Sequence, residues 1–343
     1  MRQRLHPLAI EGRRGRLATP QIAVLYGALH REHPMNPIRK ILIVGYSSLL
    51  VATTLATTFM FPWSVDPQGD ESFEAASRNF YDKAYSSNPQ SGNDDVYKES
   101  AEQAMLITQT PKLVADFVDR YGLQNRTILE VGAGSGQLQD IVEDYTALEI
   151  SRAARRFFRK PFVEASATKM PFPDNTFDAI WSFRVLEHIP NPERALLEMR
   201  RVVKPGGYIL LLVATDVDRY AAQGHRVRPY SDFDIWGKIK KATIPIADSR
   251  AFLNLYVRPV RLLRSLGSRL SGGPSRLRFV KLDANYDQYW VGDSDACISV
   301  SYHEVLLWFT SRGDHCDNCP SEWNMIFNIP PYEPGMFIRV NKQ

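Results

Sequence analysis

The sequence predicts a doubly wound α/β fold built on a mostly parallel sheet, and three observations carry that prediction. Between Thr127 and Ala214, strand-length apolar runs alternate with helix-length segments, a pattern that places helices on both faces of a parallel sheet. The first run, Ile128-Leu-Glu-Val131, breaks into Gly132-Ala-Gly-Ser-Gly136, where glycine opens positive φ and lets a ligand lie against bare backbone. Two of the runs end in an acid, Glu130 and Glu149, at the strand edge where such sheets bind ligands.

Length, 44% apolar content and a net charge of +4 allow one large domain with appendages. That charge is too small to argue for nucleic acid, and no internal repeat is evident. Residues 1–40 are basic, with Arg2, Arg4, Arg13, Arg14, Arg16, Arg31, Arg39 and Lys40. The uncharged stretch Ile41 to Phe61 follows, long enough for a bilayer core of about 30 Å. A single uncleaved anchor at 41–61 is the leading expectation, with a cleaved signal peptide and a buried core helix as alternatives. Met35 is a second plausible start, since Met35-Asn-Pro-Ile-Arg-Lys40 makes an ordinary basic flank. The charge bias, with Asp66, Asp70, Glu71 and Glu74 after the anchor, puts the N-terminus in the cytoplasm and the remainder outside.

Residues 62–100 read as a polar linker, with a loop at Ser87 to Asp94, and a helical period runs from Ala101 to Tyr121. Strands are expected at Thr127–Val131, Thr146–Ile150, Phe162–Ala165, Phe177–Phe183 and Tyr208–Ala214. Helices are expected at Gln137–Glu143, Arg152–Arg159 and Pro192–Val203, the last stopped by Pro205-Gly-Gly207. The region 101–343 is expected to form one domain, closing with a helix at Tyr302–Ser311 and strands at Trp323–Ile329 and Met336–Val340.

The glycine loop discriminates between ligands. A dinucleotide site wants G-x-G-x-x-G before a phosphate, whereas here the third glycine comes one residue early and Glu130 opposes a phosphate. Together with Glu149 at the end of the second strand, the motif resembles that of the class I S-adenosylmethionine (SAM) dependent methyltransferases, of the small-molecule, methyltransferase domain 11-like type. Three further stretches carry the resemblance: Ala165 to Asp178, Phe183-Arg-Val-Leu-Glu-His-Ile-Pro-Asn-Pro192, and Arg200 to Leu211.

The resemblance implies a Rossmann-like sheet of seven strands with an antiparallel last strand, preceded here by one hydrophobic helix, and SAM as cofactor. It assigns Glu130, Gly132, Ala133, Gly134 and Gly136 to the methionine end, Glu149 and Ile150 to the ribose, and Ser166 and Ala167 to adenine. Ser166 stands where the family usually has Asp. Phe183 to His188 would wall the methyl group, with His188 a general base or a brace for the loop. Phe80-Tyr-Asp-Lys-Ala-Tyr85 looks like the aromatic lid segment of many small-molecule members, so that Tyr81 and Tyr85 either meet ligand or simply pack. SAM is cytosolic, which conflicts with the topology read from charge, and the cofactor requirement is given the greater weight. The implied acceptor is a small or lipid-linked molecule. A nucleotide-dependent oxidoreductase and a catalytically silent, membrane-tethered interaction module are the rival readings.

Residues 215–295 interrupt the family pattern. From Lys238 to Lys281 eleven basic residues face one acid, Asp248, with apolar residues interleaved. This is either a face lying on an anionic membrane or a solvated basic face, and Pro259 argues against one uninterrupted helix. Cys316-Asp-Asn-Cys319, beside His315 and with Cys297 elsewhere, leaves free thiols, a local disulfide or zinc open. Free thiols are the default expectation, with no metal site assigned. A disulfide would favour an exported domain.

Overall fold

The computed structural model describes residues 36–60, 63–69, 71–86, 94–213, 217, 219–288, 290–327 and 335–342. The basic segment with Met35 and most of the loop expected at 87–94 lie outside them. The chain divides after Val51. Helix α1 (Pro37–Met60) is the apolar element expected near 41–61. Its stretch Pro37–Leu55 has the length and composition to cross a membrane, criteria that a signal sequence also meets, and 6% of it is buried, unlike a core helix.

In the second unit, β1 (Trp63–Ser64) is followed by α2 (Glu71–Ala84), α3 (Asp94–Ile107) and α4 (Thr110–Tyr121). Then come β2 (Ile128–Val131), β3 (Tyr145–Glu149), β4 (Phe162–Glu164), β5 (Phe177–Phe183), α5 (Pro192–Val202) and β6 (Val203–Leu212). The remainder supplies α6 (Ile235–Ala247), α7 (Arg250–Phe252), α8 (Arg258–Ser271), β7 (Phe279–Lys281), β8 (Ile298–Ser299), α9 (Tyr302–Thr310), β9 (His315–Cys316), α10 (Glu322–Phe327) and β10 (Met336–Arg339).

Seven strands form one sheet in the order β4-β3-β2-β5-β6-β10-β9. The first five are parallel, and β10 runs antiparallel to both β6 and β9. Alternate side chains of each strand enter opposite cores. Leu129, Ile180, Ile209 and Ile338 pack with Leu196 and Met199 of α5 and Trp308 of α9, whereas Ile128, Trp181, Leu210 and Phe337 pack with Phe117 and Val118 of α4. Caps set the helix starts: Asn191 accepts from the Arg194 N–H ahead of α5, and Ser301 accepts from the Glu304 N–H ahead of α9. A small antiparallel sheet, β1-β7-β8, stands apart from the large one.

Seven elements differ from expectation. Residues 62–100, expected as a polar linker, carry β1, α2 and the start of α3. The helical period at Ala101–Tyr121 is split between α3 and α4, where Gln109 turns left-handed. Residues 137–143 form turns rather than a helix, because the Gln139 amide bonds to the carbonyls of Gly136 and Phe157 and accepts from the Arg159 N–H, fixing i−3 turns around it. The Arg152–Arg159 helix shortens to a 3₁₀ turn at Ala153–Phe157. Pro205-Gly-Gly207 lies inside β6, where the register with β5 shifts; a side chain on Gly207 would meet the Asp178 carbonyl at 2.5 Å. The Trp323–Ile329 stretch starts as α10, because the Ser321 hydroxyl accepts from the Asn324 N–H and directs the chain into a helix; the sixth strand is β9 instead. Finally, the basic stretch is not one uninterrupted helix, but its break falls at Asp248-Ser249 and not at Pro259: a π turn at Leu253–Val257 joins α7 to α8, and Pro259 sits in the first turn of α8, where its missing N–H costs little.

The default expectation for the cysteines is also corrected. Cys316 and Cys319 form a disulfide, with Cα atoms 5.5 Å apart, beside β9. Cys297 is buried and its thiol faces the Glu187 carbonyl.

Candidate active site

The carboxyl ends of β2, β3 and β5 open into one cavity of about 220 Å³, at the crevice where open α/β sheets bind ligands. β2 runs directly into the glycine loop. Gly132, Gly134 and Gly136 all have positive φ, at 70°, 52° and 72°. A Cβ on Gly132 would stand 2.2 Å from Val185, so β2 and the segment after β5 approach as closely as only glycine permits. Gly136 turns away and packs on Phe158; it is the one expected cofactor residue that does not line the cavity. Glu130, Gly132, Ala133, Gly134, Glu149, Ile150, Ser166, Ala167, Phe183 and His188 all do.

Glu149 ends β3 and faces the loop. Its carboxylate accepts from the Gly134 N–H at 2.9 Å and from the N–H groups of Ile150 and Ser151 at 3.0 and 3.1 Å. Burial, the largest influence, outweighs these amides and pushes its carboxyl up. Glu130 is likewise buried and accepts from the Tyr145 hydroxyl. Burial raises it to about 8, so it holds a proton at neutral pH.

Helices α2 and α3 contribute to the lining. Glu74, Ser77, Tyr81 and Tyr85 come from α2 and the turn after it, and Ala101, Glu102, Ala104 and Met105 from α3. Asp82 fastens α2 to the end of β3 by accepting from the Ser151 hydroxyl at 2.6 Å and the Ala153 N–H at 3.2 Å. The Ser166 hydroxyl donates to Glu74 at 3.2 Å. A carboxylate thus stands next to the serine that replaces the family's acid, contributed by a different element.

At the far end, the sequence reading missed Asp295. This fully buried carboxylate lies 3.1 Å from His188 Nδ1 and accepts from the Tyr81 hydroxyl at 2.7 Å. It is held there because the Cys297 N–H donates to the Glu187 carbonyl at 2.9 Å, which pins its segment to the 3₁₀ turn Leu186–His188. Burial works against a charged His188, but the carboxylates of Asp295, Glu187 and Asp293 together prevail and raise it to about 10. Burial lifts Glu187 to about 7. Glu187, His188 and Asp293 bring potential ligand atoms within 4.8 Å of one another, the one such group among the described residues that could hold a metal ion. The cluster thus gathers three acids around one histidine beside the glycine loop.

Residues 129–211 match the methyltransferase domain family. Strand order, the acid facing the glycine loop and this match make that stretch the core of a class I SAM-dependent methyltransferase domain. An uncharacterized methyltransferase of Schizosaccharomyces pombe is 31% identical over 123 residues, covering 29% of this chain and 44% of the relative. A demethylmenaquinone methyltransferase of Renibacterium salmoninarum is 35% identical over 111 residues, covering 29% of this chain and 45% of the relative. The chain thus spans less than half the length of these relatives. A solved structure of a putative methyltransferase from Bacillus halodurans is 24% identical, covers 30% of this chain and 54% of that one, and aligns with a TM-score of 0.28.

Proposed function

We propose that the chain transfers the SAM methyl group to a small or lipid-linked acceptor at a membrane to which α1 tethers it. The observation that carries this reading is Glu149, whose buried carboxylate bonds to the glycine-loop backbone at the mouth of a cavity that continues to His188. Glu149 exchanges its amide partners for the ribose diol, Gly132 to Gly134 approach the methionine end, and Ala167 meets adenine with its backbone. Glu74, bonded to Ser166, supplies the acid for the adenine amine. Phe183 and His188 wall the methyl, and the sulfonium needs little beyond alignment with a nucleophile in a closed site.

Tyr81, Tyr85 and Met105 line the acceptor side, an apolar and aromatic surface suited to a ring or chain. The relative named for demethylmenaquinone supports a lipid-like acceptor of that kind. The cavity, about 220 Å³, is smaller than the roughly 300–1,000 Å³ usual for ligand sites. Helices α2 and α3 therefore act as a lid that shifts to admit cofactor and acceptor.

Calorimetry on the full chain in neutral detergent tests the cofactor. SAM and S-adenosylhomocysteine bind, NAD does not, and Glu149→Ala weakens both adenosyl ligands by about a hundredfold, the loss of two hydrogen bonds to a charged group at about 1.5 kcal/mol each. Absence of SAM binding by the parent, or equal binding by the variant with an unchanged melting temperature, overturns the reading. Incubation with methyl-labelled SAM and a cell extract then reads the acceptor: label partitions into the organic phase, whereas label confined to the aqueous phase removes the lipid-linked class.

The cofactor also binds more tightly as pH rises. Its positive charge favours ionised Glu130, so binding expels the proton this group holds below about pH 8. Affinity increases about tenfold per pH unit between roughly pH 6 and 8 and then levels. Glu130→Gln removes its share of that slope; a slope identical to the parent's shows that Glu130 does not sense the ligand.

A further inference from the structure

A second cleft, of about 410 Å³, lies outside the methyltransferase site. It is lined by Trp63, Arg219, Gln223, Lys240, Lys281 and Asp283, among others. Three cations therefore face one acid. Lys240 and Lys281 have no ion-pair partner among the described residues, unlike Arg264, Arg269 and Arg276 of the same basic region, which pair with Glu304, Glu322 and Glu193. Within the basic stretch, then, Arg264, Arg269 and Arg276 are tied to acids of the fold, whereas Lys240 and Lys281 have no ion pair among the described residues.

The position of Trp63 gives the cleft its meaning. Trp63 follows the last residue of α1, Met60, by three residues, and three residues of chain reach no further than about 11 Å. Whatever direction α1 takes, Trp63, which lines the cleft, lies within that distance of Met60. The guanidinium groups of Arg219 and Arg278 each lie 5.7 Å from the centre of the Trp63 ring, and its Nε1–H donates to the Tyr256 hydroxyl at 3.1 Å. Tryptophan with flanking cations is the composition of a membrane–water boundary. Arg278 also lines a shallow depression with Val260, Leu263 and Gly267 on α8, a helix whose Leu263, Leu266 and Leu270 are exposed along one stripe. An apolar stripe, a tryptophan anchor and a cationic cleft therefore adjoin one another where the chain leaves the helix.

We propose that this cleft binds the phosphate of an anionic phospholipid headgroup, with Lys240 and Lys281 as its cationic partners and the α8 leucines against the acyl region. The proposal rests on α1 being a membrane segment and is independent of the cofactor assignment. A bound headgroup would fix the orientation of the catalytic domain over the bilayer, which a tether alone leaves free to rotate.

The test is calorimetry on the full chain in neutral detergent, titrated with dioctanoyl phosphatidylglycerol, dioctanoyl phosphatidylcholine and inorganic phosphate. The phosphatidylglycerol binds saturably, and the Lys240→Gln/Lys281→Gln double variant binds it about tenfold or more weakly, with its SAM affinity unchanged. Equal binding of the two lipids, or a double variant that binds like the parent, overturns the proposal. Inorganic phosphate binding as tightly as the anionic lipid overturns the lipid as occupant. Failure of the parent to bind SAM bears on the methyltransferase reading alone, since none of these lipid titrations contains the cofactor.

Discussion

Gly132→Ala unfolds the cofactor loop and lowers the stability of the whole domain. Two separate costs meet at this residue. Its φ of 70° is a left-handed conformation, worth about 1–2 kcal/mol to a residue with a Cβ. The new methyl would also stand 2.2 Å from Val185 Cγ2 and 2.7 Å from Cγ1, and forcing a packed pair apart costs about 1–3 kcal/mol. The sum, about 2–5 kcal/mol, corresponds to a fall in melting temperature of roughly 5–15 °C for a domain of this size. Relief by shifting Val185 is not neutral, because Val185 belongs to the turn that carries His188. A displacement of about 1 Å there lowers methyl transfer by about a hundredfold.

Gly206→Ala separates the two costs. Its φ is 75°, yet nothing lies within 4 Å of the added carbon, so only the backbone cost applies. Thermal melts of the two variants should differ by the packing contribution. Equal melting temperatures would show that the loop does not depend on the close approach of Gly132 to Val185.

The parallel core of the sheet was legible in the sequence because its signal is periodic. Leu129, Ile180 and Ile209 enter one core while Ile128, Ala179 and Leu210 enter the other, so strands covered on both faces read as continuous apolar runs. Glu149 was legible for the opposite reason: an acid ends an apolar run, and burial at 5% exposure demands a purpose. The expected helix at Gln137–Glu143 failed because Leu138 and Val142, four residues apart and both buried, mimic a helical stripe. A side-chain amide, Gln139, takes up the backbone groups that a helix would have paired. Local pattern cannot anticipate a polar side chain that satisfies three backbone groups on two separate segments.

Glu74 and Asp295 were hidden for another reason. Each reaches the site from a segment outside the matched residues 129–211, and sequence position carries no information on which remote carboxylate folds against Ser166 or His188. One signal was present for Asp295. Asp293 and Asp295 stand two residues apart, and Asp295 immediately precedes the apolar run Ala296-Cys-Ile-Ser-Val300. Acids placed at the edge of a run that must be buried are candidates for burial with a partner.

On the proposal that His188 acts as the general base, Asp295→Asn lowers methyl transfer and moves its pH dependence, and the two effects together would define Asp295 as a positioning residue. The fully buried carboxylate lies 3.1 Å from His188 Nδ1, so it selects the tautomer with a proton on that nitrogen and leaves Nε2 as the basic atom. Without cofactor, the surrounding carboxylates raise His188 to about 10, and at neutral pH the ring carries two protons and cannot act as a base. A cation held beside the ring would oppose that charge and lower the value towards the working range. Asparagine removes the largest of the favourable contributions, so the acid limb of the rate profile moves to lower pH. It also stops enforcing the tautomer, so the maximal rate falls by about 10²–10⁴-fold, the range of general acid–base catalysis. His188→Ala loses the same factor and has no histidine limb at all. Tyr81→Phe keeps the carboxylate beside His188 and removes one hydrogen bond, so it lowers the rate by only about tenfold and leaves the limb near that of the parent. Rates of label transfer from SAM, measured from pH 6 to 10 on all three variants, decide the matter. An Asp295→Asn enzyme slowed without any movement of its pH profile would reduce Asp295 to a structural tie between Tyr81 and the segment that ends at Cys297.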